Sequence, residues 1–425
     1  MLNLLKIRVT GFKLLRDNFE IDLTTKARVY ESDKAKEIQE VDKGLYLFRT
    51  NAFVGGNSSG KSTVLSLILK TLVFLQTGRW KYLQREFKKS KILLNIIFYL
   101  DGYIYDYQTS FSKIDVNNLL SDNSYAPINE ISLKKLRYSK SKGIKCLDYI
   151  LKDGEDLDYI LKSSLDDTSA IKTITGNNVI VDDFSNNNIS NLNETILRKT
   201  FFNSLNSCDK ELISSIIQLL DDSIEYIYYE NSDYVRFKRA NENEELMPTI
   251  NLAAILSSGT FRGVELYIRC INALKNGATI IVDEIENCFQ KNLVYNLLFL
   301  FNDGKINSKN AKLLFSTHYV EILDYLNRRD GIFITHKENG IIDIKNLYKD
   351  YSLRTELSKS KQFDNNVFDT AINYKQLLKV RRSLLNELQA NNDWRNRWIS
   401  INRRTHWKRF INFQKRRITY GIAIP

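Results

Sequence analysis

Gly55-Gly56-Asn57-Ser58-Ser59-Gly60-Lys61-Ser62 decides how the rest of the chain is read. Its spacing, G-x-x-x-x-G-K-[ST], is that of a P-loop. It lies between an apolar β-run, Leu45 to Val54, and an apolar helical run, Ser62 to Phe74. Glycines let backbone N–H groups curl around phosphates, and a helix N-terminus adds partial positive charge where they sit. Gly55, Asn57, Ser59, Gly60 and Thr63 are therefore expected to complete a phosphate cradle. Lys61 is expected to reach the β- and γ-phosphates and Ser62 to ligate Mg²⁺. A glycine-rich turn that merely precedes Lys-Ser would need neither the strand before it nor the helix after it.

Thr279-Ile280-Ile281-Val282-Asp283-Glu284 reads as a buried parallel strand ending in two carboxylates, the Walker B form. Asp283 suits Mg²⁺ through its water shell, and Glu284 is placed to polarise an attacking water. Alone, the pattern also fits a strand that ends in an acidic turn. Upstream, Leu256-Ser257-Ser258-Gly259-Thr260 opens a helical run (Val264, Tyr267, Ile268, Ile271, Leu274) that Asn276-Gly277 caps. Ser257, Ser258 and Gly259 fit either a second anion site at a helix N-terminus or a plain N-cap. Downstream, the strand Lys312 to Phe315 ends in Ser316-Thr317-His318. An imidazole at that sheet edge is able to donate to a γ-phosphate, although a lone histidine is more often structural.

The order P-loop, Ser-Ser-Gly helix, Walker B and strand-end histidine resembles the ABC-ATPase class. Its elements are Walker A, an LSGGQ-type signature, Walker B and the H-loop. The resemblance runs from Met1 to about Asp343, with the polar middle poorly matched. It implies an α/β fold, an ABC-ATPase P-loop head with a mixed β-sheet flanked by helices, and ATP and Mg²⁺ as cofactors. It implies Glu284, His318 and Lys61 as catalytic residues, Ser62 and Asp283 as metal ligands, and Ser257, Ser258 and Gly259 as contacts to ATP. Gln108 lies roughly where such ATPases place a glutamine that touches Mg²⁺; an ordinary exposed strand glutamine explains it as well. Gly11-Phe12-Lys13 and the P-loop look like SMC and OLD-type heads. Leu256-Ser257-Ser258-Gly259-Thr260-Phe261-Arg262 and Asp283-Glu284-Ile285-Glu286-Asn287 look like the bacterial AAA family ATP-binding proteins of abortive-infection and other anti-phage operons. There the second run is usually followed by Ser-Leu-His-Pro; here Cys288-Phe289-Gln290-Lys291 follows.

The resemblance also implies a homodimer through an ATP sandwich. Ser257-Ser258-Gly259 of one protomer would close over ATP held by Lys61 and Ser62 of the other, and a higher oligomer stays open. Half an anion site is open to water, whereas two halves supply the donors that stabilise phosphoryl transfer.

Elsewhere the patterns are plainer. Leu4 to Val9 and Phe19 to Leu23 read as paired strands, and Thr25 to Asp42 as a charged loop. Ile92 to Leu100 and Tyr103 to Phe111 flank Asp101-Gly102 as a hairpin. Val116 to Glu194 is polar and irregular, an inserted helical or mixed lobe. Within it Leu-Asp-Tyr-Ile-Leu-Lys occurs at Leu147 to Lys152 and again at Leu157 to Lys162, as a hairpin on a local duplication would. Hairpins are also expected at Ile224 to Tyr229 with Tyr234 to Lys238, and at Gly331 to His336 with Ile341 to Lys345. The expected division is 1–115 (first head lobe with the P-loop), 116–223 (inserted lobe), 224–350 (signature, Walker B and H-loop) and 351–425 (helical basic C-terminal tail).

With 425 residues, 43% hydrophobic and 26% charged, the composition is that of an ordinary globular chain. The four cysteines are scattered, which suggests neither a disulfide framework nor a zinc site. The N-terminus lacks signal-peptide architecture and no apolar run approaches a membrane span, so a cytoplasmic protein is expected. Of the net charge of +12, most sits in Lys375 to Tyr420, which holds 13 Lys/Arg against 2 Asp/Glu. Trp394, Trp398 and Trp407 interleave with those arginines. Three readings of this tail stand open: a helix that docks on a partner or on the chain's own head, nucleic-acid contact, or an anionic membrane surface. After His318 there is no D-x-D element, no H-N-H cluster and too little chain for a TOPRIM domain. The combined expectation is a sensor or regulatory ATPase of an anti-phage system whose toxic activity lies in a separate effector, a nuclease or toxin. A DNA-repair or chromosome-maintenance ATPase is the alternative. A transporter subunit is disfavoured by the non-LSGGQ signature.

Overall fold

A computed structural model of the chain shows the expected α/β P-loop head. It describes residues 1–78, 91–112, 128–141, 146–157, 174–175, 181–184, 209–230, 234–248, 251–252, 255–287, 289–352, 358–368, 370 and 378–389. Two compact units are distinguished, Met1–Thr370 and Ala371–Pro425.

β1 (Asn3–Thr10) and β2 (Phe19–Asp22) pair antiparallel. α1 (Glu31–Lys34), β3 (Ile38–Asp42) and β4 (Leu45–Phe48) follow, then β5 (Thr50–Val54), the P-loop and α2 (Lys61–Thr77). Leu45 to Val54 is thus two strands rather than one, and part of the expected loop before it is ordered. The break falls at Arg49, whose buried guanidinium donates to the carbonyls of Lys34, Lys36 and Asn302. An arginine so desolvated needs these acceptors. Meeting them lets β4 pair with β3 in a two-stranded sheet while β5 turns into the core.

β6 (Lys91–Leu100) and β7 (Tyr103–Ser112) form the expected hairpin. Its turn residues Asp101 and Gly102 have φ of 47° and 86°, the two positive values that a tight two-residue connection favours. β8 (Ile128–Arg137) adds to β7, and α3 (Cys146–Asp153) and β9 (Glu155–Asp156) follow. The first antiparallel sheet runs β2-β1-β6-β7-β8-β9. Alternate residues Ile7, Val9, Leu94, Ile96, Phe98 and Tyr107 share one core with Val64, Leu65 and Ile68 of α2.

The polar middle contributes more to the head than its sequence suggests. β8 extends the antiparallel sheet, and β10 (Val181–Phe184) lies parallel to the Walker B strand. The first copy of the repeat is a helix, α3, not the arm of a hairpin. Leu147 and Ile150, three apart, both bury against Leu5, Ile97, Tyr99 and Ile104, and that spacing is helical. Most of the second copy lies outside the described residues.

α4 (Lys210–Leu220) leads to the meander β11 (Ile224–Tyr229), β12 (Tyr234–Arg239) and β13 (Glu245–Pro248), which includes the expected hairpin. Then come α5 (Ser258–Asn276), β14 (Thr279–Val282), a 3-10 turn at Ile285–Asn287, α6 (Lys291–Asn302) and β15 (Lys312–Ser316). α7 (Ile322–Tyr325), the hairpin of β16 (Ile332–Glu338) and β17 (Ile341–Asn346), and α8 (Lys359–Asp364) end the first unit. The central sheet is β10-β14-β15-β5-β16-β17, parallel except for β17. β5 is buried along its whole length, as a strand covered on both faces must be.

In the second unit the described residues form one helix, α9 (378–389), on which Val380, Leu384, Leu385 and Leu388 are exposed. This agrees with the helical C-terminal tail expected there. The tryptophans of the tail lie outside the described residues. Among the described residues no helix is long and apolar enough to cross a membrane.

Candidate active site

Parallel strands send their C-terminal ends to one edge, and in open α/β sheets ligands bind outside that edge. Here it carries the P-loop after β5, Asp283 and Glu284 after β14, Ser316 to His318 at and after β15, and Thr335 within β16. The register pairs Val282 with Phe315 and Ser316 with Phe53, so the strand ends are level.

The loop is tightly built. Gly60 has φ of 108°, and a Cβ there would lie 2.4 Å from the Ile342 side chain. A Cβ on Gly55 would come within 2.6 Å of Ser59 Oγ and of Thr335. Ser59 and Thr335 share a hydroxyl hydrogen bond of 2.6 Å, which ties the loop to β16. On its other side, a Cβ on Gly56 would meet the Thr370 carbonyl oxygen at 2.8 Å. Asn57 is exposed, as is Ser62 in the first turn of α2, and Thr63 is half-buried.

Lys61 is buried, and its ammonium donates to the carbonyls of Gly55 and Gly56 at 3.0 and 3.1 Å. Burial pushes it below the ordinary lysine value, opposed by the carboxylates of Asp283, Glu284 and Glu286. α2 begins at Gly60 with no side-chain cap, so no side chain takes the first-turn N–H groups. An uncapped helix N-terminus, a buried ammonium, a first-turn hydroxyl and facing carboxylates fit a nucleotide triphosphate with Mg²⁺.

Ser316 links the Walker B strand to its neighbour. Its hydroxyl donates to Asp283 Oδ1 and accepts from Glu284 N at 2.7 Å. Glu284 has φ of 51°, a left-handed backbone that a β-carbon disfavours and that aims its side chain away from the strand direction. Asn287 Nδ2 donates to Glu284 Oε2 at 2.7 Å, and His318 Nε2 lies 4.0 Å from Glu284 Oε1. The His318 backbone N–H donates to Glu286 Oε1 at 2.6 Å. Ser316, Glu286, Asn287 and Thr335 escaped the sequence reading. Ser316, two residues before His318 at a strand end, carried the one usable signal.

Two groups stand apart from this cluster. Gln108 is on β7 of the other sheet, and its amide donates to Asp106 Oδ2 at 2.8 Å. It lines a cavity of about 550 Å³ with Arg8, Asn18, Asn95 and Ser132; none of the described lining residues belongs to the P-loop or β14. Asp106 is buried, which pushes its carboxyl up, and the hydrogen bond donated by Gln108 offsets part of that penalty. The signature lies at the start of α5, where Ser257 is the N-cap and accepts from Thr260 N at 3.0 Å. Gly259 is exposed, and a Cβ there would touch Ser257 Oγ at 3.7 Å.

Several solved structures are similar to this chain. The SMC head domain from Thermotoga maritima shares 14% identity with a TM-score of 0.42, covering 81% of this chain and 98% of that one. An SMC head bound to the C-winged helix domain of ScpA shares 14% at a TM-score of 0.41, with 81% and 98% covered. The recombination mediator RecF shares 12% at 0.33, again with 81% and 98% covered. No curated protein matches. A family model does match, over residues 50–324, from the start of the P-loop strand to just beyond the strand-end histidine. The chain therefore belongs to the family of P-loop ATPases described as "AAA domain, putative AbiEii toxin, Type IV TA system".

Proposed function

We propose that this chain hydrolyses ATP with Mg²⁺, slowly and at a dimer interface, and that the nucleotide cycle gates a separate nuclease or toxin in an anti-phage defence system. The observation that carries the chemistry is the meeting of Lys61, Asp283, Glu284 and His318 at one strand edge, with His318 4.0 Å from Glu284. ATP supplies the phosphoanhydride, and Mg²⁺ neutralises its oxygens. Lys61 and the N–H groups of Gly55, Asn57, Ser59, Gly60 and Thr63 would orient the phosphates, Ser62 and Asp283 would hold the metal, Glu284 would align water, and His318 would donate to the γ-phosphate. Gln108 is left out of the metal set, because it lies on β7 of the antiparallel sheet and not at the strand edge that carries Ser62 and Asp283.

The exposed Ser257 and Gly259 support a signature that acts on a second copy rather than on its own P-loop. The lobes 1–115, 116–223, 224–350 and 351–425 are proposed as the working divisions, in a cytoplasmic setting consistent with scattered cysteines. The experiment is purification with co-expressed neighbours, measuring mass with and without ATP and Mg²⁺, turnover, and the activity of any co-purifying effector. Absence of both turnover and ATP-dependent association overturns the reading. The basic stretch 375–420 favours a second one, a DNA-repair or chromosome-maintenance ATPase. DNA-stimulated turnover with no effector selects it.

A further inference from the structure

Ile285 is fully buried and pins the 3-10 turn that follows the Walker B strand. The turn presents Glu286 to the end of β15. There Glu286 Oε1 accepts the His318 backbone N–H at 2.6 Å. Its other oxygen, Oε2, is shielded from water and has no hydrogen-bond partner among the described residues. All the described hydrogen bonding of this carboxylate therefore goes to His318. The charge faces the Lys61 ammonium, whereas the bond to His318 needs only an acceptor, which an amide oxygen would also supply. Ser316 is joined to Asp283 and Glu284 two residues earlier in the same segment. The chain that carries the imidazole is thus held to the Walker B turn by two rungs, and the second is next to the ring itself.

We infer that Glu286 is the positioning residue for His318: it fixes the backbone that sets the imidazole opposite Glu284. Glu286 touches neither phosphate nor water in this role; it acts through His318. The inference rests on the ATPase reading for its kinetic consequence, but the Glu286–His318 link can be tested without nucleotide.

The test compares Glu286→Ala, Glu286→Gln and Glu286→Asp. Hydrogen exchange of the peptide spanning residues 313–322, in protein without nucleotide, is expected to quicken at least tenfold in Glu286→Ala and to stay near wild type in Glu286→Gln. Turnover is expected to fall about tenfold or more in Glu286→Ala with the KM for ATP within threefold, because the hydrogen bonds of Lys61 to Gly55 and Gly56 are kept. Adding Glu286→Ala to His318→Ala should lower kcat no further, as for two residues acting through one group. If Glu286→Ala does not fold, Glu286→Asp, one methylene shorter, should give the same faster exchange. Unchanged exchange in the folded Ala or Asp variant, or additive losses in the double mutant, overturns the inference. A wild-type protein without turnover removes the ATPase reading and leaves the exchange result to decide the positioning role.

Discussion

Glu284 Oε1 stands 4.0 Å from His318 Nε2, while the other oxygen of that carboxylate is held by Asn287. The Asn287 bond thus fixes where this carboxylate stands at the strand edge. Glu284→Gln is expected to keep ATP affinity and lose turnover by ~10²–10⁴-fold, the usual loss with a positioned general base. Wild-type turnover in a steady-state assay of that variant would show the assignment to be wrong.

Gly60→Ala should disable the site without touching a charged group. The added Cβ meets Ile342 at 2.4 Å on a backbone of φ 108°. A loss of about 1–3 kcal/mol in folding stability is expected from strain of this kind, together with loss of ATP-induced thermal stabilisation. Denaturant unfolding with and without nucleotide measures both; unchanged stability would mean the loop has room that these contacts deny.

The open face of Ser257 and Gly259 leads to a complementation experiment. Lys61→Ala and Ser258→Arg protomers, each inactive alone, should recover about one working site per heterodimer, because both defects then fall in one composite site. Mixed dimers with no turnover would place the signature outside the catalytic unit.

How much of this was legible in the sequence follows from which residues act locally. The P-loop, the Ser257 cap and the Walker B strand are contiguous patterns, and each forms the element that its spacing implies. Arg49 breaks an apparent strand because acceptors at Lys34, Lys36 and Asn302 exist only once the chain has folded. β8 and β10 were hidden because polar strands carry weak alternation. Gln108 illustrates the limit of spacing: its distance along the chain suits a metal ligand, yet it stands on β7 of the antiparallel sheet rather than on the edge that carries the P-loop. The Glu286 contact was invisible because its partner, the His318 backbone N–H, lies in the segment after β15, far along the chain.

Lys312 gives the fold a pH dependence remote from the catalytic edge. Burial pushes its ammonium down to about 7, with Asn3 Oδ1 accepting from it at 2.7 Å. In the unfolded chain a lysine titrates near ~10.4. Between those values the unfolded state binds more protons, so stability rises with pH across that window and the full penalty applies below it. Lys312→Met should remove this slope and stabilise the protein by ~1–3 kcal/mol at pH 6. Urea unfolding at pH 6, 8 and 10 is the measurement; parallel slopes for the two proteins would count against a buried charge.

Truncation after Asn391 removes 9 of the 13 tail cations and three tryptophans. ATP binding should survive, since every nucleotide motif remains. If the tail engages duplex DNA, affinity should fall with salt at a log–log slope of roughly −0.9 per phosphate neutralised, and truncation should abolish it. A protein-docking tail should instead respond to Trp394→Ala and Trp398→Ala with little salt dependence. Binding to DNA, RNA and co-expressed partner at two salt concentrations separates the cases, and equal binding by both forms removes the tail from partner recognition.

The strand that feeds the P-loop has no neighbour in its own half of the chain: β5 pairs with Lys312–Ser316 on one side and Ile332–Glu338 on the other. A ribosome working at about 5–20 residues per second needs roughly 15–60 s to make those partners after β5 has emerged. Through that interval Thr50–Val54, wholly apolar at its end, is an unpaired edge awaiting the C-terminal half. Biogenesis of this protein is therefore all-or-none with respect to its site. A chain released before residue 312 holds every atom of the phosphate loop and neither strand that pairs with β5, and it presents to the cell an aggregation-prone strand for chaperones to shield.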